Sequence, residues 1–265
     1  MILLLAMFGC KSEELPGSWP TDHREGMVEI IETTFKMGHK KETPGPYGDE
    51  WFENELPRHK VTLSTYAIDK DEVTVGQWVE FLNAPGNGTH HYGLHPVEWN
   101  GSAFAALANH QPIRYVSWYD ATVFCAWVGK RLPTEAEWEL AARGDDGRRY
   151  PWGEDNASCA KANYFTNYTL CVSEPTDVGS YSPDGDSPYG MRDMAGNVAE
   201  WVQDRYGNYE KDEVTDPNGA SDGGYRVVRG GGFRDVDNSI RTTSRFGAAP
   251  DRRSEGVGFR CAGDP

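Results

Sequence analysis

Basic residues are scarce in this sequence. Across 265 residues, 26 Lys and Arg face 41 Asp and Glu, and the formal charge is −15. Nucleic-acid binding draws on a surplus of Lys and Arg that neutralises phosphates, so this balance excludes a general nucleic-acid binder. It also excludes a polybasic protein held at a membrane surface by charge. We therefore expect no nucleic-acid partner.

The short motifs of common enzyme classes are absent as well. The chain has no GxxxxGKS/T phosphate loop, no GxSxG elbow, no HExxH zinc helix, no GxGxxG opening a helix, and no CxxC pair. His91 and His95 have the spacing of a helical metal site, with His90 beside them. Because Gly93 lies between them and Pro96 follows, we interpret this stretch as a solvated loop.

Glycine and aromatic residues are plentiful. The chain has 30 Gly, 16 Pro, 9 Trp, 13 Tyr and 10 Phe. Disordered segments lack such aromatics, and a helical bundle would not carry so much glycine and proline. The length is ample for one large domain with a sizeable core. We expect a loop-rich fold with short, scattered elements.

The N-terminus carries one apolar run, MILLLAMFGC at 1–10. It resembles the end of a bacterial lipoprotein signal, in which Cys10 would be lipidated. Ten residues are too few to span a bilayer. The polar, proline-containing stretch 11–25 then reads as a tether. These features predict an exported protein of the bacterial cell envelope or periplasm, held to the membrane by its lipid anchor only; the alternative is a frayed apolar terminus.

The remaining four cysteines are Cys125, Cys159, Cys171 and Cys261. An even number in an exported protein suggests two disulfides, although three pairings are possible. The simplest local bridge joins Cys159 to Cys171 in a loop-like stretch, which leaves Cys125 for Cys261. The alternative is a cytosolic protein with free buried thiols.

Local patterns predict several secondary-structure elements. The stretch 26–38 favours a hairpin and the alternating stretch 61–69 favours a strand. A capping box of Thr74 and Gln77 predicts a helix over 75–82.

Two further helices are predicted in the middle of the chain. Ser117 can cap a helix that ends at Gly129, and Thr134 with Glu137 forms a second capping box. The first of these helices has apolar residues on one face: Ala121, Phe124, Cys125 and Val128. From residue 145 onward the chain is rich in loops and short glycine-punctuated strands, and no composition break marks a second domain.

Several longer phrases occur in a recognisable order. They are GMVEI with FKMG within 26–38, YAIDKDEVTVGQW at 66–78, PIRYVSWYDATVFCAWVGKRLPTEAEWELAARG at 112–144, YPWG at 150–153, YGMRDMAGNVAEWVQD at 189–204, VVRGGGF at 227–233 and GVGFRC at 256–261. Together they resemble the sulfatase-modifying factor family, the formylglycine-generating enzymes and their relatives. The resemblance covers residues 26–262. It implies a single α+β domain with a C-type-lectin-like core and little regular secondary structure.

The resemblance also bears on the cysteines. The family's disulfide between the SW-D-A helix and the GFRC phrase corresponds to Cys125 and Cys261. Its second disulfide is missing, because Ala142 and a position near Phe246 stand where those cysteines would be. A bridge between Cys159 and Cys171 would be a local substitute.

The family's enzymes oxidise a substrate cysteine to formylglycine with O2 and Cu(I) held by two cysteine thiolates, which are soft ligands suited to Cu(I). The matching positions here are Asp235 and Ile240, or Ser239 with an offset of one residue. Gly232 and Ala199 also replace a Ser and a Trp of that active site. The resemblance therefore implies no copper cofactor and leaves enzymatic activity open.

A structural calcium site is the cofactor that the resemblance does imply. It would use the carboxylates of Asp193 and Glu200 with backbone oxygens of Gly196 and Val198, and such hard oxygen donors suit Ca2+. The alternative is that Asp193 only forms a turn and Glu200 only forms an ion pair.

The resemblance implies a noncanonical family member that binds a peptide, protein or glycan in the cleft of the enzymes. Candidate cleft residues are Asp235, Asp237, Asn238 and Arg241, whose alternative is an ordinary polar loop. The rival function is a periplasmic oxidoreductase or maturation enzyme acting on a thiol or siderophore-like substrate, and a third is a structural envelope component.

Two further sets of residues are expected to be structural. They are Trp118, Trp138, Trp152 and Trp201 in the core, and Arg229 and Arg260 bracing turns.

Overall fold

A computed structural model describes residues 26–40, 49–84, 109–166 and 168–265. The apolar run with Cys10, the tether at 11–25 and the histidine loop at 90–95 lie outside these ranges. Among the helices that are described, none is both long and apolar enough to cross a bilayer.

Short strands in three small sheets make up most of the regular structure. The first sheet has the order β1-β4-β10, the second β2-β3-β6 and the third β8-β7-β5-β9. Strands β3 and β6 run parallel, as do β5 and β9. The strands are β1 Met27–Ile30, β2 Thr33–Met37, β3 His59–Leu63, β4 Tyr66–Asp69, β5 Ala199–Arg205, β6 Val214–Thr215, β7 Arg226–Arg229, β8 Arg245–Ala248, β9 Val257–Phe259 and β10 Ala262–Gly263.

The three predicted helices form, and each begins at a complete capping box. They are α1 Val75–Asn83, α2 Trp118–Trp127 and α3 Glu135–Arg143. In each, the N-cap hydroxyl accepts a hydrogen bond from the backbone N–H of the third helical residue, whose side chain returns a bond to the N-cap N–H. These reciprocal bonds satisfy two otherwise unpaired donors, which explains why local sequence predicted the helix starts. The described residues also form two 3-10 helices, Asp49–Glu55 and Asp237–Ile240.

The strand predictions near the N-terminus were partly wrong. Residues 26–38 do not form a hairpin: β1 pairs with β4, and β2 pairs with β3. The predicted strand over 61–69 is likewise divided between β3 and β4. The link between β1 and β2 contacts the link between β3 and β4, where the Glu32 N–H donates to Thr65 Oγ1 at 3.0 Å. At these links the chain passes between the sheet of β1 and β4 and the sheet of β2 and β3. Each strand therefore pairs with one that is distant in sequence.

Helix α3 is the centre of the core. All nine of its residues are buried, although it carries Glu135, Glu137, Glu139 and Arg143. Trp138 within it and Trp201 on β5 are fully buried, as predicted, whereas Trp118 and Trp152 are only half-buried. A helix buried on every side needs a partner for each of its charges.

Both predicted disulfides are confirmed. Cys125 on α2 is bonded to Cys261, with the two residues 136 positions apart, and Cys159 is bonded to Cys171. Cys261 lies between β9 and β10; its carbonyl accepts the Asp69 N–H of β4 at 2.8 Å, and its own N–H donates to Asp69 Oδ2 at 3.1 Å. The long bridge therefore ties α2 to the sheet of β1, β4 and β10.

Buried arginines neutralise the carboxylates around α3. Arg229 is fully buried; its Nη2 lies 2.5 Å from Glu139 Oε2 and its guanidinium also donates to the carbonyls of residues 242–244. Arg245 makes two hydrogen bonds to Glu135, at 2.7 and 2.8 Å. The prediction that Arg229 and Arg260 brace turns is confirmed, because both side chains are 0% exposed and donate to backbone carbonyls.

Asp204, near the end of β5, has a carboxyl whose pKa is strongly raised. Its Oδ2 accepts the Glu135 N–H at 2.8 Å. Burial, followed by the charge of Glu135, raises its pKa from 3.8 to about 8. The folded state therefore holds a proton that the unfolded chain has lost across this interval.

We predict that Asp204→Asn flattens the pH dependence of stability. Between pH 4 and 8 the Asp204 proton should make unfolding free energy fall by up to about 1.4 kcal/mol per pH unit, because the folded state binds more protons than the unfolded state. Asn cannot ionise, so this contribution disappears and the variant should gain on the parent as pH rises. Urea unfolding from pH 4.5 to 8.5 measures the slope. Asp184→Asn, at an exposed carboxylate, should run parallel to the parent; parallel curves for Asp204→Asn would refute the prediction.

Candidate functional site

The turn before β5 holds the predicted calcium ligands. Asp193, Gly196 and Asn197 all have positive φ, at 55°, 81° and 59°. A Cβ at position 196 would stand 2.3 Å from the carbonyl oxygen of Asn163, so only glycine fits there. The chain therefore makes a tight turn that leads directly into β5, where Glu200 is the second residue.

Asn197 and a carboxylate that the sequence did not single out, Glu72, hold this turn in place. Asn197 Nδ2 donates to Glu72 Oε2 at 2.7 Å, and the Val198 N–H donates to Glu72 Oε1 at 3.1 Å. Asn197 Oδ1 accepts the Thr176 N–H at 2.9 Å. No local pattern indicates Glu72, because its partners lie more than a hundred residues further along the chain.

The two predicted carboxylate ligands have different surroundings. Glu200 is fully buried and both its oxygens accept from Arg260 at 2.7 Å, while Trp138 Nε1 donates to Oε2 at 2.9 Å. Asp193 accepts the Gly179 N–H through Oδ2. Burial raises the pKa of Asp193 to about 6. Glu200 is thus already paired with a cation, whereas Asp193 has no cationic hydrogen-bond partner among the described residues.

A third buried carboxyl, that of Glu72, lies at the same turn as the two predicted calcium ligands. Burial raises the pKa of Glu72 well above its usual range, and the charges of Asp193 and Glu200 raise it further. Burial also raises the pKa of Asp193, so both carboxyls hold a proton more readily than in water, and of the three carboxyls only Glu200 is hydrogen-bonded to Arg260. Calcium held by Asp193 and Glu200 with the carbonyls of Gly196 and Val198 stays a prediction, because Glu200 is already paired with Arg260 and the described residues hold no group of three His, Cys, Asp or Glu side chains placed to bind a metal.

Backbone atoms crowd Gly232, the position that the resemblance matches to a serine of the enzymes. A Cβ on Gly232 would stand 2.9 Å from the carbonyl oxygen of Gly256 and 3.4 Å from the backbone nitrogen of Ala199. The Ala199 N–H itself donates to that Gly256 oxygen at 2.8 Å. The three positions meet where β5 runs beside β9, so a serine at position 232 would require this backbone to move.

Asp235 and Ile240, which the resemblance matches to the family's copper-binding cysteines, lie in different surroundings. Asp235 is exposed, and its carboxylate accepts the Gly232 N–H at 2.8 Å. Ile240 is fully buried in a small apolar cluster with Tyr150 and Tyr164, and Ser239 is half-buried beside it. In the ranges that the structure covers, all four cysteines form disulfides and no three His, Cys, Asp or Glu side chains are grouped to hold a metal. These residues do not fit a thiolate-bound copper.

The candidate cleft residues divide into two kinds. Asp237 and Asn238 are half-buried on the 3-10 helix, where Asn238 Oδ1 accepts from Arg149 Nη2 at 3.2 Å. Arg241 is buried, makes two hydrogen bonds to Glu55 at 2.9 and 2.6 Å, and lies over the Phe52 ring. The structure thus leaves Asp235, Asp237 and Asn238 near the surface and places Arg241 in a bracing role.

Comparison with known proteins identifies the family. The family model of the sulfatase-modifying factor enzyme 1-like domain matches residues 12–265. The chain belongs to the sulfatase-modifying factor family. The predicted fold class, a single α+β domain of this family with little regular secondary structure, is confirmed.

The relatives of this sulfatase-modifying factor domain include proteins with different names and lengths. A formylglycine-generating enzyme of Thermomonospora curvata is 33% identical, over 95% of this chain and 98% of its own length. A serine/threonine-protein kinase, pkn1, of Chlamydia pneumoniae is 38% identical over 79% of this chain, but the chain spans only 34% of that protein. The solved structure of Treponema denticola variable protein 1 aligns with a TM-score of 0.68 at 24% identity, covering 90% of this chain and 95% of that one, and shows the fold alone.

Proposed function

We propose that this chain is an exported, lipid-anchored member of the sulfatase-modifying factor family that binds a peptide, protein or glycan and does not generate formylglycine. The binding surface is the segment that carries Asp235, Asp237 and Asn238. The domain's presence within the much longer Chlamydia protein supports a role as a module that binds partners.

One observation carries the proposal: a thiolate pair for copper is missing from the region that would hold it. Asp235 offers a carboxylate and Ile240 a buried aliphatic side chain where two cysteines would be needed. Cu(I) prefers soft sulfur ligands, and a hard carboxylate with a hydrocarbon cannot replace them.

Metal analysis separates this proposal from its rival. The full chain, purified and exposed to Cu(I), should retain far less than one copper per chain, whereas a formylglycine-generating enzyme treated alike retains its copper. Retention of copper or iron at one per chain would favour the rival, a periplasmic oxidoreductase or maturation enzyme acting on a thiol or siderophore-like substrate.

Binding at the cleft is tested with arrays of synthetic peptides and bacterial glycans. The full chain should bind a restricted set of probes, and the double variant Asp237→Ala/Asn238→Ala should lose that binding. Asp184→Asn, at an exposed position, is the control and should keep it. Equal binding by both variants would move the binding surface away from this segment.

The lipid anchor is tested in the bacterial cell. Lipidation at Cys10 should place the full chain in the membrane fraction, and Cys10→Ala should release it. A parent chain that fractionates as a free protein would contradict the anchor.

We predict that Ca2+ stabilises the fold through the turn 193–200. A ligand that binds only the folded state stabilises it by mass action, by about 2.7 kcal/mol at a hundredfold excess over Kd. Removing Ca2+ with EGTA should therefore lower Tm, and adding Ca2+ back should restore it. Asp193→Asn should lose most of this response. An unchanged Tm with excess Ca2+ would refute the calcium site.

A further inference from the structure

A cavity is lined largely by residues of the segment 207–222. Its volume is about 470 Å³, within the size range of small-molecule sites. None of its lining residues belongs to the turn 193–200 or to the segment 235–241. It is therefore a separate feature of the fold from the predicted cleft.

The wall of this cavity contains one carboxyl oxygen that lacks a partner. Asp204 lines the cavity and is 3% exposed, and its Oδ2 is occupied by the Glu135 N–H. Its Oδ1 accepts no hydrogen bond from any residue in the described part of the chain. A Cβ built on Gly219, which also lines the cavity, would stand 2.9 Å from Oδ1. Because Gly219 has no side chain, this oxygen stays uncovered at the cavity wall.

The charges around the cavity favour a cation. Glu210 and Asp222 are further acidic residues of the lining. Two arginines also line it: Arg245 donates to Glu135 and to the carbonyls of Gly207 and Asn54, and Arg205 donates to the Ser221 carbonyl. A cation would pair with the Asp204 carboxylate once its proton is released, whereas a neutral ligand makes no such pair.

The remaining lining suits a hydrocarbon chain beside the charge. Met37, Val214 and Pro217 lie in the cavity wall, and the ring of Tyr209 packs against His59 at 5.0 Å between centroids. A bare metal ion would need several oxygen ligands, and the described residues bring no three carboxylate, His or Cys side chains together for one. An ammonium group needs few acceptors and can carry an alkyl chain.

We propose that this cavity binds an alkylammonium group, with Asp204 Oδ1 accepting from the ammonium and Met37, Val214 and Pro217 contacting the alkyl chain. Such a group could belong to a free small amine or to a lysine side chain of a partner. Both share one chemistry, and the probes below distinguish the sources.

The first experiment measures binding to the full chain by calorimetry at pH 8.5. The probes are n-butylammonium, Nα-acetyl-lysine methylamide and, as the neutral control, n-butanol. At least one amine should bind at one per chain, and n-butanol should bind at least tenfold more weakly. Tighter binding of the lysine derivative assigns the site to a polypeptide lysine, and tighter binding of n-butylammonium assigns it to a free amine. No saturable binding of either amine, or equal binding of n-butanol, would overturn the proposal.

Variants test whether Asp204 carries the binding. Asp204→Asn should weaken amine binding at least tenfold, and Asp184→Asn should leave it unchanged. Ser221→Trp places a large side chain on an exposed residue of the lining and should also weaken binding while keeping Asp204. Binding that survives both changes at the cavity would overturn the proposal.

A measurement on the unaltered chain keeps the test valid even if a variant fails to fold. Because burial raises the pKa of Asp204 to about 8, an ammonium that pairs with its carboxylate should displace a proton, and affinity should rise about 20-fold from pH 6.5 to 8.5. Proton release is obtained from calorimetry in two buffers with different ionisation enthalpies. Affinity that does not change with pH would contradict a role for Asp204. The other charged and titratable groups that line the cavity are His59, Glu135, Arg205, Tyr209, Glu210, Asp222 and Arg245.

Discussion

Replacing Arg229 with methionine should lower the free energy of unfolding by about 3–5 kcal/mol, the usual cost of removing one partner of a buried ion pair. Arg229 is fully buried against Glu139, and its guanidinium also satisfies the carbonyls of residues 242–244. Although burial opposes ionisation of Glu139, Arg229 and Arg143 hold its pKa below the usual range. Methionine fills similar space but leaves Glu139 Oε2 and those carbonyls without the donors of Arg229, while the Gly38 N–H and Arg143 still donate to Oε1.

Urea unfolding at pH 7 measures the loss, and two variants calibrate it. Arg234→Met removes an ion pair with Glu255 in which both side chains are roughly half exposed, and it should cost less than about 1 kcal/mol. Arg229→Lys keeps the charge but cannot supply the planar fork of donors, so its cost should fall between the two. If Arg229→Met costs no more than Arg234→Met, the buried network does not stabilise the fold.

Removing the long disulfide should also have a large effect. The double variant Cys125→Ala/Cys261→Ala opens a bridge between residues 136 positions apart. The loop-entropy model gives about 5 kcal/mol for a loop of that length. Both residues are fully buried and Cys261 is hydrogen-bonded to Asp69 of β4, so we expect the loss to appear as destabilisation of the whole domain.

The short disulfide provides the matched control. Cys159→Ala/Cys171→Ala opens a bridge between residues only 12 positions apart, for which the same model gives about 3 kcal/mol. The two double variants should therefore differ by about 2 kcal/mol in urea unfolding. Equal losses, or a larger loss for the short bridge, would show that loop length does not govern their contributions.

Local sequence predicted features whose cause is local. The helix starts were correct because each capping box is completed by side chains three residues apart, such as Thr134 and Glu137. The hairpin at 26–38 was wrong because strand partners are chosen by packing. Two short apolar runs that could pair with each other instead pair with strands further along the chain: β1 pairs with β4 and β2 pairs with β3.

The side-chain contacts of the candidate sites join residues that are distant in sequence, and sequence analysis missed them for that reason. Glu72 holds the turn at Asn197 from 125 positions away, and Asp204 meets Glu135 across 69 positions. Neither carboxylate has a local pattern that distinguishes it from a solvated acid. Arg241 was predicted for the cleft because the resemblance matches its stretch to the cleft of the enzymes, and no local pattern indicates its pairing with Glu55, 186 positions away.

The central claim is that this family member lost formylglycine formation with its copper-binding thiolates. The most direct measurement incubates the full chain with a Cys-x-Pro-x-Arg peptide, Cu(I) and O2, and follows the peptide by mass spectrometry beside a copper-loaded formylglycine-generating enzyme. We predict that the enzyme converts the peptide thiol to an aldehyde and that this chain leaves the peptide unchanged. Conversion of the peptide by this chain, over more than one turnover, would contradict the claim.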